Sequence, residues 1–304
     1  MSGLLVSLQD AVVQGVLWGI MVLGVYITYK LLDIADLTVD GSFALGGCVC
    51  AVMILNFHVD PWIALAVAAI AGMAAGAVTG LLHTIFEIPA ILAGILTQIG
   101  LWSINLRIMG GKSNVPLLKT DTIMSRFIDF TGLNKQIASL VIGIGIAVIM
   151  IALLYWFFGT EIGSAMRATG NNESMIRAQG VNTNWTKLLA LVISNGLVGI
   201  SGGLVCQSQK YADIGMGTGA IVIGLAAIVI GEVLMGRLRS FGSKLTSAVV
   251  GSVIYFVIRA VVLRMGMNAN DMKLLSAAIV AVALCVPVVV RKLRLKKSYT
   301  EGGE

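Results

Sequence analysis

Six stretches of this sequence contain no Asp, Glu, Lys or Arg: Trp62–Leu82, Ile88–Leu106, Gln136–Phe158, Leu188–Gln207, Ile214–Gly231 and Leu274–Val290. Few environments accept so many consecutive uncharged, apolar residues. A helix of about 20 residues crosses a hydrocarbon core of about 30 Å, which makes these blocks candidate membrane spans. Leu4–Tyr29, Gly41–Leu55 and Leu245–Ile258 add three more, the last two short or tilted, for eight or nine crossings. That is too many for a signal peptide or a single anchor. In hydrocarbon the backbone must satisfy its own amides and carbonyls, so blocks of this length form helices. The expected fold is therefore all-α, a polytopic membrane helix bundle of about nine spans. Composition agrees: 58% of residues are hydrophobic and 12% charged, against about 25% charged in a soluble globular domain.

Where the charges fall is informative about orientation. Basic residues gather in the tail Arg291–Lys297, in Gly236–Lys244 and in Thr160–Lys187. Cytoplasmic loops carry an excess of Lys and Arg. Placing the tail inside and counting spans backwards puts all three segments inside and Gln207–Gly215 outside. The same count puts the N-terminus and Gly110–Asn134 outside, although Lys112, Lys119 and Arg126 lie in that loop and Lys135 follows it. The excess of basic residues is thus a topology signal and not a nucleic-acid surface. On this reading residues 1–304 form one transmembrane domain. It comprises a first half (1–159), a cytoplasmic loop (160–187), a second half (188–290) and a cytoplasmic tail (291–304).

Two segments interrupt the apolar pattern. Asp33–Phe43 packs three carboxylates, Thr38 and Ser42 beside Gly41, with too few residues for a loop domain. Tyr211–Gly219 repeats the texture, with Asp213, Thr218 and several glycines ahead of another apolar run. Irregular backbone at membrane depth is tolerated where it is buried in protein or lines a cavity, and broken helices in matching positions of two halves mark transport pathways. The first break starts inside and the second outside, the relation inverted repeats require. As a pathway, the breaks would offer Asp36, Thr38, Asp40, Ser42, Asp213 and Thr218. As helix ends, Asp40 and Thr218 would cap free amides. The two readings are compatible.

Other features read as packing. Ala64, Ala68, Gly72, Gly76 and Gly80 form a small-residue stripe on one helix face, with Gly199 and Gly203 repeating the device; such faces let helices approach closely in lipid. Cys48, Cys50, Cys206 and Cys285 lie inside apolar blocks at no metal or redox spacing and read as small hydrophobes. His83 and Glu87 flank a short turn and match no zinc motif. Arg259 and Arg264, near the end of a span, are expected to snorkel outward. Gly110-Gly-Lys-Ser113 imitates the end of a phosphate loop, but Leu106 stands where its first glycine should be and no strand precedes it. No catalytic constellation, metal set or nucleotide site follows, so the chain is not expected to be an enzyme or to bind a cofactor itself.

The only sizeable polar stretch expected to be helical inside is Gly163–Val181. Ala165–Ala168 and Glu173–Gln179 are good helix formers, separated by Gly170-Asn-Asn172 and closed by Gly180. Two short helices offer a docking surface to a cytosolic partner. This loop resembles the coupling-loop signature of the permease superfamily that includes branched-chain amino acid and ribose importers. Gly163, Ala168, Gly170, Asn172, Glu173, Arg177 and Gly180-Val181 stand in the signature's places, with Arg167 beside them. Asp36-Leu-Thr-Val-Asp-Gly-Ser42 is similar to the Asp-Leu-Ser-Val-Gly-Ser element of sugar permeases with one residue inserted, and its wording lies nearest an uncharacterised or aromatic (tryptophan-type) amino acid importer subgroup. The resemblance covers nearly the whole chain after about Val12. Ribose-type permeases usually carry an additional N-terminal span, which this chain lacks.

The resemblance implies a type II importer-like bundle and a homodimer of this chain in the bacterial inner membrane. It also implies two cytosolic ABC ATPase subunits that bind ATP and Mg, and an extracytoplasmic binding lipoprotein. The loop would dock on the ATPase, and the cargo would be a small solute, an amino acid before a sugar or nucleoside. The competing class is an ion-coupled secondary transporter using Asp33, Asp36 or Asp40.

Overall fold

The computed structural model describes residues 2–118, 120–132, 134–236, 240–265, 271, 274–282 and 285. Helix α1 (Ser2–Tyr26) runs into a π-helical turn (Ile27–Leu31), followed by α2 (Thr38–Leu55), α3 (Pro61–Thr84) and α4 (Ala90–Ile108). Next come strand β1 (Asn114–Pro116), a short helix α5 (Ile123–Thr131), α6 (Lys135–Phe157) and the small helices α7 (Glu161–Asn171) and α8 (Glu173–Ala178). The chain continues through α9 (Thr183–Gln209), β2 (Tyr211–Asp213), α10 (Ala220–Met235) and α11 (Phe241–Arg264), and residues 274–282 are helical again. Among the described residues, seven helices are long and apolar enough to span a bilayer, and α10 is a shorter apolar one. The protein is thus a polytopic helical membrane bundle. Every apolar block of the sequence carries a helix; the block expected over 274–290 is described at 274–282 and 285, and the tail 291–304 lies outside the described residues.

The helices sort by what surrounds them. α1, α2 and α9 are buried inside the protein over most of their length, whereas α4 and α6 expose Leu96, Ile99, Trp102, Ile149, Leu153 and Trp156. Apolar side chains turned outward on helices of this length face lipid. The interior is held by close backbone contact. Ala64, Ala68, Gly72 and Gly76 on α3 are buried against α9, where a methyl group on Gly72 or Gly76 would run into the carbonyl of Asn195 or Leu191. On α1, a Cβ at Gly15 would sit 2.5 Å from Val253 Cα on α11. Small residues are what permit such approach in lipid.

The two halves match element by element. Ser2 to Thr183, Thr38 to Ala220 and Pro61 to Phe241, the starts of α1/α9, α2/α10 and α3/α11, are 181, 182 and 180 positions apart. Gln14-Gly-Val-Leu17 and Asn195-Gly-Leu-Val198 correspond at this shift. The main pairings exchange in the same way: α3 packs along α9, and α1 along α11. This is the pattern of a two-fold exchange between repeats, with α4 matched by the helical residues 274–282. α5 to α8 lie between the repeats.

Two small elements escaped the sequence reading. β1 and β2 pair antiparallel with Asn114 opposite Asp213, fastening the loop after α4 to the second break. α5 begins with a capping box in which Thr122 and Ser125 bond each other's backbone, and ends at Gly132 with φ 68°.

Candidate functional site

The first polar break converges on Asn195, midway along α9. Its side-chain amide donates to Asp36 Oδ2 at 2.7 Å and to the Leu191 carbonyl at 3.0 Å, and its oxygen accepts from Ser42 Oγ at 2.6 Å. Asp36 also takes the Thr38 amide at 2.9 Å, turning the chain into α2. Thr38 shares a hydroxyl contact of 2.7 Å with Thr79 on α3, which donates to Thr97 on α4 at 2.9 Å. All of these side chains are buried. The proposed pathway residues Asp36, Thr38 and Ser42 therefore sit in a packed polar core that ties α2 to α3, α4 and α9.

Asp40 does something the sequence reading did not anticipate. It lies in the first turn of α2, yet its carboxylate accepts the amides of Gly219 at 2.8 Å and Ile221 at 3.0 Å, capping α10. The two breaks thus meet, and an anion from one neutralises the positive end of the helix that follows the other. The expectation that Thr218 caps α10 is corrected: the cap residue is Gly219 at φ 83°, with no side-chain bond of its own. A left-handed turn places the free amides toward Asp40, and glycine adopts it without strain. Asp213 lies in the β-ribbon, bonding the Gly215 amide at 2.7 Å and Asn114 Nδ2 at 3.3 Å.

At one end of the bundle α7 and α8 form a compact hairpin. Its turn is at Asn172, which caps α8 by accepting the Met175 amide at 3.0 Å. The expected glycine turn is corrected accordingly: Gly170 lies within α7, and its bare Cα faces the carbonyl of Leu31 at the end of the π turn. Gly163 packs on the backbone of Phe157 and Phe158, Ala168 accepts the Asn172 amide at 3.0 Å, and Gly180 closes the hairpin at φ 85°. Glu173 receives Lys187 Nζ at 2.7 Å, Arg177 Nη2 at 2.9 Å and the Thr183 hydroxyl at 3.0 Å, fastening α8 to α9. The hydrogen bond from Lys187, then the Thr183 hydroxyl and the two cations, hold its carboxyl below the usual range. Arg167 stacks 5.3 Å from the Phe241 ring centroid at the start of α11. The loop residues singled out from the sequence are thus brought together, chiefly as the parts that shape the hairpin. Ile162 and Met175 form its exposed apolar surface.

At the opposite end a cavity of about 1030 Å³ opens between α1, α9, α10, α11 and the helical residues 274–282. Thr218 lines it; the other residues expected on a pathway do not. Arg259, expected to snorkel to the surface, lies on its wall, with its guanidinium 5.7 Å from the centroid of the Phe256 ring. Sequence reasoning missed Asp10, Gln14, Trp18 and Asn195. The available signal was simple: a polar side chain within a lipid-spanning helix faces the protein interior or a cavity.

Comparison with known proteins gives consistent results. The profile of the branched-chain amino acid transport system / permease component family matches residues 7–284. A tyrosine transport system permease protein of Clostridioides difficile (strain R20291) is 38% identical over 280 residues, covering 92% of this chain and 90% of that protein. A ribose import permease protein of Escherichia coli (strain K12) is 25% identical over 218 residues, 71% of this chain and 67% of that protein. Among solved structures, a chain of PsaBC from Streptococcus pneumoniae in complex with Fab shares the fold at 17% identity, with a TM-score of 0.51 and 90% of both chains covered.

Proposed function

This chain belongs to the branched-chain amino acid transport system / permease component family, a family of membrane permeases and not enzymes, and we propose that it is the translocating subunit of an ATP-driven importer. In this reading it works in the bacterial cytoplasmic membrane as a homodimer, with two ABC ATPase subunits on the cytosolic side and a binding lipoprotein on the other. ATP and Mg are bound by the ATPases. The C-terminus and the α7–α8 hairpin face the cytosol, and the N-terminus faces outside. The cargo is an amino acid, an aromatic one by similarity to the tyrosine permease.

One observation carries the reading. The hairpin is fixed at three points, by Gly170 on the π turn that continues α1, by Glu173 and the Thr169–Thr186 hydroxyl contact on α9, and by Arg167 on α11. These are the helices that flank the two breaks and the cavity. A partner that displaces the hairpin would therefore move the core helices as well. Of the carboxylates an ion-coupled transporter would use, Asp36 and Asp40 are occupied by internal donors, while Asp33 lies exposed outside the polar core.

The test is uptake by the assembled complex in proteoliposomes. Transport that requires ATP and ignores ionophores supports the importer; ionophore-sensitive transport without ATP overturns it. In the same system Gly170→Trp and Glu173→Arg are expected to abolish solute-stimulated ATP hydrolysis. Unchanged stimulation in both would remove the hairpin from the coupling route.

A further inference from the structure

The cavity opposite the hairpin has an unusual wall. Trp18 contributes to it while only 7% exposed, and its indole N–H is buried without an acceptor. The ring itself is well placed, 4.5 Å from the centroid of Phe43 and 5.5 Å from that of Phe256. A buried donor left open destabilises the fold, because it has lost its water without gaining a partner. Buried polar groups are almost always satisfied. An acceptor supplied by an occupant of the cavity would satisfy this one.

Arg259 is the second observation. It is half-buried on α11, one turn and more before the helix ends at Arg264, and among the described residues it makes no ion pair. An unpaired cation within a membrane helix that faces a cavity marks a substrate route. Asp10, at the mouth of the same cavity on α1, is likewise unpaired among the described residues. Among the described residues the wall thus holds an arginine and an aspartate that make no ion pair, an unmet indole donor, and the rings of Trp18, Tyr211 and Phe256.

We propose that this cavity binds a zwitterionic aromatic α-amino acid as cargo, with Arg259 at its carboxylate, Asp10 at its ammonium, and its side chain against Trp18 and Phe256. The Trp18 N–H then donates to an oxygen of the cargo. A sugar or nucleoside lacks the paired charges and leaves Asp10 and Arg259 unanswered; a lipid chain leaves all three polar groups so. The inference rests on the importer reading for the direction of transport, but the binding chemistry stands separately.

The experiment uses the full chain in lipid nanodiscs and measures binding of radiolabelled L-tyrosine, with tyramine and 3-(4-hydroxyphenyl)propionate as competitors that each lack one charge. Wild type is expected to bind L-tyrosine saturably, with each competitor about tenfold weaker or more, since a charge-assisted hydrogen bond exceeds the 1.4 kcal/mol that tenfold represents. Arg259→Gln is expected to erase discrimination against tyramine alone, and Asp10→Asn discrimination against the propionate alone. Trp18→Phe keeps an aromatic wall and is expected to weaken tyrosine several-fold without lowering the melting temperature. Absent binding, equal competition by all three ligands, or variants that leave the competition pattern unchanged would overturn the site. ATP-driven uptake is measured in parallel with the assembled complex. If uptake persists while binding fails these tests, the importer stands and the site falls. If binding passes while uptake needs no ATP, the importer reading falls and the site stands.

Discussion

At the scale of single residues, Asn195 is the position on which most depends. It answers a carboxylate and a hydroxyl at once, in a place where water cannot substitute. Replacing it by leucine leaves Asp36 and Ser42 buried without that partner, a loss of about 3 kcal/mol, read as a lower melting temperature in detergent. The double variant Asn195→Leu/Asp36→Leu should be less damaging than the sum of its parts, because the second change removes the group that the first left stranded. Glu173 makes a different prediction. Its folded-state pKa is depressed, so its contribution is full above the unfolded carboxylate value and is lost as pH falls through the lower folded value. Protection of the α8 amides, taken relative to their intrinsic exchange rate at each pH, should therefore stay full at neutral pH and fall only on strong acidification. Glu173→Gln should flatten that dependence. The partners of Asn195 could not be found by pattern. An Asn in a charge-free apolar block announces an interior position, but the chain 159 residues away that meets it is fixed only by folding.

At the scale of elements, what was legible followed from local chemistry. Apolar length located the spanning helices, and the small-residue stripe marked the packing face of α3, whose partner α9 only the fold supplies. What was not legible depended on elements distant in sequence. Asp40 looked like a cap for its own helix because capping is a local habit, yet its partners are the amides of α10. Gly170 looked like a turn because glycine usually breaks polar helices, but here it is the closest approach of α7 to Leu31. The ribbon between β1 and β2 is three residues per strand, too short to show an alternating pattern. Asp40→Ala should cost about 1–2 kcal/mol, since two capping bonds and a favourable dipole interaction go together. The expected signature is faster hydrogen exchange at residues 219–223 with α3 and α9 unaffected, and Asp40→Asn should recover part of the loss. Uniform destabilisation of the bundle would instead mean that Asp40 supports α2.

At the scale of the whole molecule, the two-fold relation between repeats turns a static difference into an expectation about motion. Gln14 on α1 and Asn195 on α9 occupy corresponding positions. Gln14 faces the open cavity and among the described residues bonds only Gln209, at 3.3 Å. Asn195 faces the equivalent cleft between α9, α2 and α3, which is filled by Asp36 and Ser42. One cleft is open away from the hairpin, and its counterpart toward the hairpin is closed by a polar network. Alternating access in inverted repeats exchanges such states. In the proposed importer the hairpin, with Gly170 packed on the π turn after α1 and Glu173 bonded to α9, would drive that exchange. Opening the second cleft must then break the Ser42–Asn195 contact and let water in. The prediction uses Ser42→Cys in a chain whose four native cysteines are replaced by alanine. A membrane-impermeant maleimide offered from the hairpin side should leave the resting protein unlabelled and react when the assembled complex turns over ATP with solute present. Labelling equal in rest and turnover would mean that the network stays intact through the cycle. Transport would then run along the first cleft alone, without exchange between the repeats.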